Sequence, residues 1–115
     1  MRVYVAHVYG RRHGLSPEEC EANAYKAIEV GRELIKRGHN PFIPNLFHFL
    51  HKNWESTLSE DGWFAIVSEW IRFCNILLVA DMPPWEDSGV HREISIAKRL
   101  GIPVVYDIEE LQNSG

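Results

Sequence analysis

Ile76-Leu-Leu-Val-Ala80, then Trp85-Glu-Asp-Ser-Gly-Val-His-Arg-Glu-Ile-Ser-Ile-Ala-Lys-Arg-Leu100, then Gly101-Ile-Pro-Val-Val-Tyr106 decide how the chain folds. An apolar run, a segment of helical spacing and a second apolar run read as strand, loop, helix and strand. That is a parallel β-α-β crossover. Asp87 or Ser88 can cap the helix, because either side-chain oxygen accepts from the free N–H groups of the first turn. Ile94, Ala97 and Leu100 mark its buried stripe.

Glu93 lies one turn inside this helix, four residues after Gly89. Helical side chains lean toward the N-terminus, so its carboxylate projects over a position without a side chain, leaving room for a ligand. The positive end of the helix is expected to favour the ionised acid, as a nucleophile or base requires. Asp87 reaches Glu93 only if the loop folds over the helix end. Two acids at the carboxyl edge of a sheet would stand where open α/β proteins hold their ligands. The same residues also fit a plain capped helix with a solvated glutamate.

With 115 residues, the chain suits one small domain over 1–115 with one core. Hydrophobic residues at 45% and charged residues at 24% are ordinary for a globular protein. A net charge of −4 offers no footprint for a nucleic-acid polymer, although a local phosphate pocket remains compatible with it. No apolar run approaches membrane-spanning length and no secretory signal is recognisable, so an intact cytoplasmic domain without membrane attachment is expected. Cys20 and Cys74 read as reduced core thiols. His48 and His51 lack the further ligands of a zinc motif, so no metal is expected.

Upstream, Val3-Tyr-Val-Ala6 reads as the first buried strand, running into the loop His7-Val-Tyr-Gly-Arg-Arg-His-Gly14. Arg11 and Arg12 could clamp a phosphate or could be solvated, and there is no Gly-x-Gly-x-x-Gly or Walker lysine. Ser16-Pro-Glu-Glu19 starts a helix with a capping box, and Gly38 stops it. Cys20, Ala24, Ala27, Ile28, Gly31, Leu34 and Ile35 trace its apolar face, with Asn23 at the border as a packed or capping amide. Asn40-Pro-Phe-Ile-Pro44 is a brief strand. Asn45 to His51, including His48, could line a base-stacking pocket or pack as a loop. Lys52 to Gly62 reads as irregular. Trp63, Ile66, Val67, Trp70 and Cys74 recur at helical spacing, and an aromatic face this wide suggests burial against a second copy of the chain. The prolines after Ala80 stiffen the loop beneath Trp85, which could cover a bound ring. Asp107 caps a short final helix, and Asn113 to Gly115 should fray.

Taken together, these residues resemble the nucleoside 2-deoxyribosyltransferase-like superfamily. The resemblance rests on Val3-Tyr-Val-Ala6, on the Asn23 helix ending in Leu34-x-x-x-Gly38 with Pro41 and Pro44 after it, and on Asp87-Ser-Gly-x-x-x-Glu93 with Ala97 and Gly101-Ile-Pro-Val. It implies a small open, mainly parallel sheet flanked by helices, a flavodoxin- or Rossmann-like three-layer α/β fold. It also implies cleavage of the N-glycosidic bond of a nucleoside or nucleoside 5-monophosphate, with transfer of the sugar to a base or to water. Matched by motif, Glu93 is the nucleophile, Asp87 handles the proton of the base, and Tyr4 orients the glutamate. His7, Arg11, Arg12, Asn45, His48, Trp85, Ser88 and Gly89 are the candidate substrate contacts. The partner implied is a small nucleoside or nucleotide, no cofactor is needed, and a homodimer or larger assembly is expected. The chain departs from the family at His7-Val8, Val67 and Asn75, which keeps a non-catalytic nucleotide-binding domain as the alternative.

Overall fold

The computed structural model describes residues 1–111. Four strands form one sheet: β1 (Arg2–Ala6), β2 (Asn40–Phe42), β3 (Ile76–Val79) and β4 (Val104–Val105). Their spatial order is β2-β1-β3-β4 and every pairing is parallel. The helices are α1 (Pro17–Lys36), the single turn α2 (His48–His51), α3 (Glu60–Ser68) and α4 (Gly89–Arg99). No helix among the described residues is long and apolar enough to cross a membrane.

Strand alternation builds the three layers. Successive side chains of β1 point to opposite faces of the sheet. Tyr4 and Ala6 therefore join Ile71, Leu77, Val90, Ile94 and Ala97 on one side. Val3 and Val5 join Leu34, Leu78 and Leu111 on the other. The first core lies beneath α4 and the turn Glu69–Phe73, and the second beneath α1. A parallel sheet covered on both faces needs apolar residues at consecutive positions, as Val3 to Ala6 supply.

Ser16 accepts from the Glu19 N–H while the Glu19 carboxylate accepts from the Ser16 N–H, and Pro17 opens α1. Ser88, rather than Asp87, caps α4 by accepting from the His91 N–H. Two boundaries differ from the sequence reading. The helix expected from Trp63 begins earlier, at Glu60, because Ser59 caps it by accepting from the Gly62 N–H. It also tightens into a 3₁₀ turn over Glu69–Phe73, and Cys74 is extended as the chain turns into β3. Leu100 and Ile35, placed on buried stripes by periodicity, are half exposed or more: Leu100 is the cap residue after the end of α4, and Ile35 turns outward beside the fully buried Leu34. The fraying expected of Asn113 to Gly115 concerns residues outside those described.

The strand order fixes where a ligand can enter. β1 connects outward to β2 and β3 connects outward to β4, so the connections diverge between β1 and β3. Their carboxyl ends leave a crevice at that switch point, bounded by the loop after β1 and the loop after β3.

Candidate active site

That crevice holds a cavity of about 720 Å³, counted out to its open mouth. The loop after β1 supplies His7, Val8, Tyr9, Gly10 and His13. The stretch around α2 supplies Pro44, Asn45, Phe47, His48 and His51. From α3 come Glu60, Trp63, Phe64 and Val67, and from the β3–α4 connection come Pro83, Trp85, Ser88, Gly89, Val90 and Glu93. Aromatic and aliphatic walls with polar groups converging on them are the usual form of a small-molecule site.

Glu93 is the innermost acid. It is 5% exposed, and its Oε2 accepts a short hydrogen bond from the hydroxyl of Tyr4, which is fully buried on β1. Burial pushes the Glu93 carboxyl up to about 8, opposed by the Tyr4 hydrogen bond and the Arg92 charge. The helix end was expected to keep this acid ionised. Desolvation at this buried position works in the opposite direction. Burial, and then the charge of Glu93, hold the Tyr4 phenol well above its ordinary value, so it stays a proton donor.

Two amides fix the loop after β1. Asn45 Nδ2 donates to Val8 O at 3.0 Å and Asn23 Nδ2 donates to Tyr9 O at 3.2 Å. Gly10 turns the loop at φ 95°, and a Cβ there would stand 2.1 Å from Leu15 Cδ1, so only glycine fits. His7 Nδ1 lies 2.9 Å from Val8 O, which can only accept. The ring therefore carries a proton on Nδ1, which it donates to Val8 O. His48 is spanned by Glu21 Oε1 at 3.0 Å and the Tyr9 hydroxyl at 2.6 Å, so both its nitrogens are occupied. Trp85 stacks on His13 with centroids 4.5 Å apart and 7° between planes.

Several sequence-derived candidates fall elsewhere. Asp87 does not line the cavity. Its side chain is 66% exposed, with Oδ1 2.9 Å from His13 Nε2 and Oδ2 3.4 Å from Arg12 Nη2, and the His13 contact lowers its pKa. Capping by Ser88 turns the preceding carboxylate outward. Arg11 donates to Leu58 O and Arg12 pairs with Asp87 and Asp61, and neither lines the cavity. Ser88 and Gly89 do line it, although the Ser88 hydroxyl is committed to the cap and to His91 Nδ1 at 2.7 Å. Sequence reading missed Glu60, whose signal was the Ser59 cap. It also assigned no site role to Tyr9, His13, Trp63 or Phe64, whereas Phe47 and His51 fall in the Asn45 to His51 segment read as a possible pocket lining.

These features define an open parallel α/β protein with a buried tyrosine–glutamate pair at the floor of its switch-point cavity. The chain belongs to the family described as domain of unknown function DUF1937, whose pattern matches residues 1–109. Its backbone is similar to a solved structure of a 2-deoxyribosyltransferase from the psychrotolerant bacterium Bacillus psychrosaccharolyticus. The two agree with a TM-score of 0.59 at 21% identity, over 90% of this chain and 69% of the other. The fold is thus that of the nucleoside 2-deoxyribosyltransferases. No curated protein matches the chain.

Proposed function

We propose that this protein cleaves the N-glycosidic bond of a deoxynucleoside, with Glu93 as nucleophile and transfer of the sugar to another base or to water. The observation that carries this reading is the Glu93–Tyr4 pair at the cavity floor. A carboxylate there can attack the anomeric carbon while the Tyr4 hydroxyl holds its second oxygen in place. The aromatic walls, Phe47, Trp63, Phe64 and Trp85, suit the flat face of a nucleobase. The likeness of fold to a 2-deoxyribosyltransferase supports the same chemistry. Because Arg11 and Arg12 are engaged elsewhere, they lend no support to a phosphorylated substrate.

Incubation with the four deoxynucleosides and their monophosphates, with and without an acceptor base, should release or exchange base on chromatography. Glu93→Gln should lower turnover by orders of magnitude. Absence of any base release, or full activity in that variant, would refute the assignment. One observation favours a second reading, a nucleotide-binding domain without turnover: the acid matched to the proton of the base, Asp87, faces solvent. Calorimetric binding without product would select it.

The reading also includes self-association. Ile66, Trp70 and Phe73 stand 42%, 48% and 57% exposed along α3 and the following turn. An exposed apolar stripe of this kind fits a second copy of the chain.

A further inference from the structure

A departing nucleobase accumulates negative charge and needs a proton, yet Asp87 lies outside the cavity, tied to His13 and Arg12. A different carboxyl lies inside it. Glu60 projects from the first turn of α3, and Phe64 and Val67, four and seven residues on, line the cavity from the same helical face. The Arg12 backbone N–H donates to the Glu60 carboxyl, whereas its Oε2 is buried and has no partner among the described residues. An unpartnered buried carboxyl oxygen is costly to leave unsatisfied. A ligand heterocycle seated against Glu60, which lines the cavity, would bring a nitrogen or carbonyl to its carboxyl.

We propose that Glu60 is the acid that protonates the leaving base. This rests on the N-glycosidase reading and supplies the proton transfer that reading lacks. In the first step the Glu93 carboxylate forms a C–O bond to the anomeric carbon and the C–N bond breaks. Its electron pair goes to the base nitrogen, and the Glu60 proton passes to the base. In the second step the Glu60 carboxylate takes a proton from water or from an acceptor base. The resulting oxygen or nitrogen attacks the anomeric carbon, and the electron pair of the ester returns to Glu93. Both carboxyls regain their starting state. Burial raises the Glu60 pKa against the lowering influence of Arg12, His13 and Arg11, the direction that favours its acid form.

The test compares two substrates, an ordinary purine deoxynucleoside and its N7-methylated, cationic counterpart, whose base departs neutral without being protonated. Glu60→Gln preserves volume and an acceptor for the Arg12 N–H but has no acidic proton. It should lower kcat on the ordinary substrate by about 10²-fold or more while leaving the methylated one near the wild-type rate. Glu60→Asp should restore part of the loss, and it serves as the readout if the glutamine variant does not fold. Glu93→Gln should abolish both reactions. Equal effects of Glu60→Gln on the two substrates, or the selective loss appearing in Asp87→Asn instead, would overturn the role of Glu60 and leave that of Glu93 standing. Failure of the wild-type protein to cleave either substrate would overturn both.

Discussion

Glu93 carries opposing demands at a single residue. A nucleophile must be ionised, whereas burial holds this carboxyl up to about 8, far from the ordinary 4.5 of a free side chain. The difference is also a statement about stability. Between pH 4.5 and about 8 the unfolded chain has released this proton while the folded chain retains it. Unfolding therefore releases a proton, and stability falls as pH rises through that window, by at most about 1.4 kcal/mol per pH unit from this group. Denaturant titrations across the window should show that decline in wild type and a flatter profile in Glu93→Gln. Identical slopes would mean that Glu93 is ionised in the folded protein. Sequence places Glu93 and Gly89 one helical turn apart, and the structure sets both on the cavity wall. The protonation state was illegible, because it depends on Tyr4 and the surrounding walls, which approach only through the tertiary fold.

At the scale of elements, the helix starts carried most of the readable information. Ser16, Ser59 and Ser88 each cap a helix, and each precedes a first turn whose N–H groups need an acceptor. The capping box at Ser16 and the entry of α4 were legible because those signals are local. The start of α3 is masked by the polar residues around it, and Glu60 with it. The direction of Asp87 was illegible for the same reason that Ser88 was ambiguous: either side chain can cap, and the one that does forces the other outward. Ser88→Ala should therefore destabilise the protein by about 1 kcal/mol, lowering the urea midpoint with no change in slope. If the midpoint is unmoved, the cap at α4 does not help to hold the fold, and Asp87 is free to replace Ser88 there.

For the whole molecule, alternation of apolar strands with capped helices is the pattern that yields a parallel sheet, whereas the order β2-β1-β3-β4 emerges only in the structure. Sequence periodicity cannot distinguish a helix face buried in its own core from one awaiting another chain. Only the coordinates separate Ile71, fully buried against Tyr4 and Leu77, from Trp70 and Phe73 beside it. The exposed rings are not isolated. Phe73 lies 6.1 Å from Trp70, Trp70 5.5 Å from Phe42, and Phe42 6.3 Å from Phe47, which itself lines the cavity. An aromatic path thus joins the proposed association face to the wall of the site, and the two should respond together. Sedimentation at micromolar concentrations should show a dimer or larger species for the wild-type chain. Phe73→Lys, which places a charge on that face without touching the cavity, should shift it toward monomer. If assembly supports the cavity wall through Trp70 and Phe42, the same variant should also weaken nucleoside binding. A wild-type monomer at those concentrations would remove the association proposal, while a monomeric variant with unchanged affinity would show that each copy holds its site alone.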